Sequence, residues 1–389
     1  WTDDVMCRSS DAAIGATAGL GAVPAMAQHG VSAAAVRFAQ VAALEGPASA
    51  LGIGMQQGML AAFEEANRAG GVHGRRIELT SMDDGYEPSR SIEAVSSVIE
   101  SDDYLALVGT VGTPTNKATQ PLATDANMPL IGPFTGAGFL RDPALKNVVN
   151  MRATYDAETA AWIDHLVDDL GLTNIAILYQ DDGFGRVGLS GVTKALEARG
   201  MTLSAEGKYT RNTVAVKSAL LEIRKAKPEA VVMVGAYKPL AEFIKLSQKM
   251  RMDPTFVTIS FVGSKALAAE LGESGEGVII SQVVPQPWDA SLPIVAEYQA
   301  ALKAMDATAE PGFVTLEGYL TGRVAIEALR QAGQDLTRQS YLAALGQLGT
   351  MDLGGFVLSY GPGDNQGSDG VFLTRIGAHG SFEAIAPAS

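Results

Sequence analysis

Hydroxyl and backbone N–H groups cluster in the loops that follow the hydrophobic runs of this chain, and the chemistry open to them is holding an anion. Gly109-Thr110-Val111-Gly112-Thr113-Pro114-Thr115-Asn116 follows one such run and leads into a helical pattern. Threonine hydroxyls and free N–H groups at a helix N-terminus form a receptor for a carboxylate. Gly132-Pro133-Phe134-Thr135-Gly136-Ala137-Gly138 repeats the arrangement one strand later. Three loops in the second half, Asp181-Asp182-Gly183-Phe184-Gly185, Gly235-Ala236-Tyr237-Lys238-Pro239 and Ser260-Phe261-Val262-Gly263, add aromatic faces, chiefly Phe184 and Tyr237. A plainer role stands beside each of these: Thr113 and Thr115 as helix caps, the aromatics as packing, and Asp83-Asp84 and Asp181-Asp182 as caps instead of acids or bases.

No catalytic or metal motif accompanies these loops. GxxxxGK[ST], HExxH and GxSxG are absent from the sequence. Gly52-Ile53-Gly54 with Gly58 fits a dinucleotide fingerprint only loosely and suits close helix packing better. His29, His73, His165 and His379 lack ligand spacing, and the one cysteine, Cys7, permits neither an intrachain disulfide nor a cysteine metal site. The expectation is no cofactor, no metal and no catalytic residue.

The elements that position these loops alternate. Strand-like runs at 36–42, 76–82, 104–108, 128–131, 174–179, 202–209, 230–234, 255–259 and 277–281 are separated by helical patterns, the order of serial βαβ units. The class is therefore α/β, with parallel sheets covered on both faces. Residues 351–360 and 370–376 read as two further strands in a terminal, hairpin-like addition, and no repeat of fixed period is visible. A chain of 389 residues exceeds one ordinary core and favours two lobes with a cleft between them.

Composition bounds the partners. Hydrophobic residues make up 47% and charged residues 19%, enough to bury a sizeable core. A net charge of −14 works against nucleic acid or an anionic membrane surface as partner. Residues 12–27 are small and apolar, Arg8 lies upstream and Ala25-Met26-Ala27 suits a signal peptidase, so export with cleavage near Ala27 is expected. Asp3, Asp4 and Asp11 are unusual before such a segment, a start at Met6 would remove the first two, and a cytoplasmic extension is the alternative. Cys7 precedes the apolar run and is not placed for lipid attachment.

In order and spacing, GPASALG (46–52), EEANRAGGVHGR (64–75), DDGYEP (83–88), GTPTN (112–116), QDDGFG (180–185), GAYKP (235–239) and GYLTGRVAIEAL (318–329) resemble the type I periplasmic binding proteins of ABC importers, specifically the leucine/isoleucine/valine-binding family. The resemblance spans residues 36–382. It implies two Rossmann-like lobes joined by three crossing segments, expected near Ala153, Pro285 and Leu353. Lobe 1 would hold 31–153 and 286–352, and lobe 2 would hold 154–285 and 353–389. It further implies that Thr113 and Thr135 to Gly136 take a ligand carboxylate and that Phe184 and Tyr237 cover the ligand, with Leu44, Tyr86, Pro114, Phe134 and Tyr155 completing the lining.

Family members holding amino acids meet the α-ammonium with an acidic residue where this chain has Ser260. A buried ammonium without a carboxylate partner is costly. The resemblance therefore favours an aromatic or aliphatic carboxylate, a keto acid or an amide over an amino acid, unless Asp182 replaces the missing acid. The implied partners are that small molecule and the membrane subunits of an ABC permease. The rivals are a sensor of the same fold and an α/β enzyme using Asp83, Asp182 and His73.

Overall fold

The hydrophobic runs close into two sheets built on one strand order. The computed structural model describes residues 29–386. β1 (Ala35–Ala42), β2 (Arg76–Asp83), β3 (Ala106–Val108), β4 (Leu130–Ile131) and β5 (Val148–Val149) form a parallel sheet ordered β2-β1-β3-β4-β5. β6 (Ile175–Gln180), β7 (Ala205–Tyr209), β8 (Ala230–Val234), β9 (Thr255–Thr258) and β10 (Ile279–Gln282) repeat it as β7-β6-β8-β9-β10. A hairpin of β11 (Thr350–Asp352) and β12 (Val357–Ser359) follows, after which β13 (Phe372–Ile376) and β14 (Phe382–Ala384) extend the second sheet antiparallel. In each lobe the connections run both ways from the first strand, and that reversal opens a crevice at the carboxyl ends of the strands.

The helices are α1 (Ser49–Arg68), α2 (Pro88–Ser101), α3 (Thr113–Asp125), α4 (Tyr155–Ile163), α5 (Gly183–Glu197), α6 (Lys217–Lys225), α7 (Tyr237–Lys249), α8 (Ser264–Leu271), α9 (Pro293–Met305), α10 (Phe313–Ala332) and α11 (Arg338–Leu345). α1 and α10 lie so close that a Cβ on Gly58 would stand 2.0 Å from the Thr315 carbonyl oxygen, and one on Gly318 would stand 2.4 Å from that of Met55. The loose glycine fingerprint thus serves helix packing. No helix among the described residues is long and apolar enough to cross a membrane. The export segment expected at 12–27 lies outside the described residues.

The chain passes between the sheets after β5, after β10 and after β12. Ala153 and Pro285 lie in the first two passages. Leu353 does not lie in the third: it sits in the β11–β12 turn, where Asp352 accepts from the N–H groups of Gly354 (2.8 Å) and Gly355 (2.9 Å). Both glycines have positive φ, +93° and +94°, which reverses the chain there. Residues 351–360 are therefore a hairpin and not one strand. β12 pairs with β11, while β13 pairs with β10, so the expected terminal hairpin of the two segments does not form.

Candidate ligand-binding site

The loops after β1 to β4 meet those after β6, β8 and β9 where the carboxyl ends of the two sheets converge. Gly112, at φ +105°, caps α3 and turns Thr113 inward. Thr113 Oγ1 lies 2.7 Å from Thr135 Oγ1, and both side chains are buried. Pro114 takes a first-turn position, where its missing N–H has no helical partner to lose. Thr115 is spent on its own loop, donating to the carbonyls of Val111 and Gly112. A Cβ on Gly136 would stand 2.7 Å from the Tyr155 ring, and Tyr155 N–H donates to the Gly136 carbonyl at 2.8 Å. Leu44 contributes backbone, its N–H donating to Asp83 Oδ1 at 2.8 Å.

An aromatic cluster fills the centre. Phe261 stands 4.7 Å from Phe184, 5.2 Å from Phe134 and 6.0 Å from Tyr86 between ring centroids, and Phe184 stands 5.5 Å from Tyr155. Tyr86 reaches it from a left-handed backbone (φ +61°), held by an N–H bond to Asp84 Oδ1 at 2.8 Å. Its hydroxyl accepts from Gln180 Nε2 across the interface at 3.3 Å. Phe184 therefore pairs with Phe261. Tyr237 stands outside this ring cluster, in the core around α7 and α8, with its hydroxyl reaching the first lobe to accept from Ala50 N–H at 3.4 Å.

Ser260 leads to what the sequence reading missed. Glu158, fully buried on α4, accepts from Ser260 N–H (2.9 Å), Ser260 Oγ (2.9 Å) and Ser281 Oγ (2.5 Å). A carboxylate does stand behind the serine, supplied from about a hundred residues away in sequence and already hydrogen-bonded. Arg152, in the first crossing segment and 1% exposed, donates to Ser260 Oγ and lies 3.4 Å from Glu158 and 3.5 Å from Glu317. Its guanidinium also stacks on Phe134 at 4.8 Å. Burial pushes Glu317 up to about 7 although Arg152 pulls it down, and burial with the nearby Arg152 lowers Arg141 to about 9.

Asp182 is not free to replace an acid. It caps α5 through the N–H groups of Phe184 (2.9 Å) and Gly185 (3.4 Å), accepts from Gln180 at 2.7 Å and pairs with Arg211 at 2.9 Å. Arg211 also pairs with Glu87 at 2.8 Å, and Asn212 donates to the Gly85 carbonyl at 3.0 Å, so one loop latches the two sheets together. His73 and Asp83 flank opposite ends of β2, on the order of 20 Å apart at strand rise. They share no site with each other. A groove of about 590 Å³ opens between α1 and α8, bordered by Ala50, Ile53, Lys265 and Phe313.

Residues 35–381 match the profile of the periplasmic binding protein family. The chain belongs to that family. Its relatives include the leucine-, isoleucine-, valine-, threonine- and alanine-binding protein of Pseudomonas aeruginosa, 21% identical over 80% of this chain and 83% of that one. The substrate-binding protein of a chemotactic signal transduction system in Halobacterium salinarum is 29% identical over 50% of this chain and 48% of that one. The crystal structure of a possible leucine/isoleucine/valine-binding protein from Rhodopirellula baltica superposes with a TM-score of 0.86 at 38% identity, covering 91% of this chain and 97% of that one. Such membership fits the twice-used strand order and places this chain among type I periplasmic binding proteins of the leucine/isoleucine/valine-binding group.

Proposed function

We propose that this chain is an extracytoplasmic solute-binding protein that captures a small carboxylate-bearing or amino-acid-like metabolite between its lobes and delivers it to an ABC permease. The lobes close on the solute by rotation about the three crossing segments, a population shift driven by contacts that the ligand makes to both sides at once. The observation that carries this reading is the convergence of Thr113 and Thr135 from one sheet with Phe184 and Phe261 from the other on a single buried interface. Hydroxyls orient a polar head and rings cover an apolar body, the division of labour of a small-molecule site.

The test is a thermal-shift screen against amino acids, aromatic acids, keto acids, dicarboxylates and amides. A ligand at a hundred times its dissociation constant stabilises by about 2.7 kcal/mol. A selective rise supports capture, and its absence throughout the panel removes this reading. The chemotactic relative supports a second reading, in which the closed form is recognised by a signalling partner instead of a permease.

A further inference from the structure

The polar atoms at this interface differ in how well they are satisfied, and the difference has a sign. Among the described residues, Arg152 Nη1 and the Tyr155 hydroxyl are buried without a hydrogen-bond partner, while Arg152 Nε lies 3.5 Å from Glu317 Oε1. Arginine nitrogens only donate, and a phenol readily does. Both side chains are 1% exposed or less, and the Arg152 guanidinium lies 5.7 Å from the Tyr155 ring. The nearby acids offer no matching acceptors for a cation. Glu158 is saturated by Ser260, Ser281 and Arg152, and Asp182 by α5, Gln180 and Arg211. Glu317 faces Arg152 at 3.5 Å with Arg141 also nearby, so an ammonium placed there would stand among guanidinium groups.

We infer that Arg152 receives the anionic end of the captured solute, and that this solute is a carboxylate or 2-oxo carboxylate carrying no α-ammonium group. The inference rests on the solute-capture reading above and narrows it. Unused donors at a buried site call for an acceptor, and charge-assisted bonds from a guanidinium are the strong ones. The ring of Phe134 stands beside the guanidinium, those of Phe261 and Phe184 continue from it, and together they suit a flat or branched apolar body. Glu158 then acts through Ser260 and Arg152 as a positioning residue and not as a ligand for the solute.

The experiment is calorimetric titration of the protein with matched triplets, each a 2-oxo acid, its amide and the corresponding L-amino acid, on isopropyl, phenyl and indolyl skeletons. The native protein is expected to bind an acid at least about tenfold more tightly than its amide and its amino acid. Arg152→Gln should erase the preference for acid over amide, read as the ratio of the two affinities, and Arg152→Lys should restore part of it. An amino acid bound as tightly as its 2-oxo acid overturns the inference and leaves solute capture standing. Equal loss of acid and amide in Arg152→Gln makes Arg152 a structural strut and also overturns it. Should Arg152→Gln fail to fold, the native ranking alone decides. If no member of any triplet binds, the capture reading falls and this inference falls with it.

Discussion

Ser260, where the family resemblance leads one to expect an acid, is only half of a local arrangement. The other half is Glu158, and behind it Arg152 and Glu317; with Ser260 these residues come from three separate stretches of chain, 152–158, 260 and 317, and meet only in the fold. Nothing in the spacing of these residues announces the meeting. Thr113 and Thr135 were legible because each follows a strand and precedes a turn or helix, so a local rule sufficed. Thr135→Val should weaken ligand binding about tenfold by removing a hydroxyl donor from a buried site, measured by titration with the strongest screen hit. Glu317 adds a pH dependence. Its folded value of about 7 lies above the ordinary 4.5, so the folded protein holds a proton that the unfolded chain has released. Stability is expected to fall as pH rises from about 4.5 to about 7, by on the order of 3 kcal/mol, and to level off above that. Glu317→Gln should flatten that slope in denaturant titrations at pH 5 and pH 7.5, and an unchanged slope would assign it to other groups.

Most strands and helices could be read from hydrophobic period and glycine stops, because serial βαβ units repeat those signals. The exceptions have local causes. β5 is two residues long, too short for any periodic signal, and the β11–β12 turn depends on Asp352 capping two glycines. The second sheet repeats the strand order of the first without a sequence repeat, since burial constrains the pattern of apolar positions and not their identity. Packing of α1 on α10 yields the sharpest prediction at this scale. Gly58→Ala would set a methyl 2.0 Å from a backbone carbonyl that cannot swing aside, so the helices must separate. A loss of about 1–3 kcal/mol is expected, seen as a lower midpoint in urea. An unchanged midpoint would mean that the contact yields freely.

The whole molecule is two lobes tied by covalent crossings on one side and by a polar latch at the Arg211 loop. Arg211 bridges Glu87 and Asp182, and Asn212 reaches the Gly85 carbonyl. Arg211→Ala removes the ion pair to Glu87, which exists only when the lobes are together, so it should weaken affinity for the solute severalfold through faster release, with little change in association rate. Stopped-flow binding separates the two rates. Capture between the lobes has a direct signature in hydrogen exchange. With the strongest screen hit bound, amides of 109–116 and 132–137 in the first lobe and of 181–185 and 259–263 in the second should all gain protection together. Protection confined to one lobe, or to the groove around α8 and the start of α10, would rule out capture between the lobes.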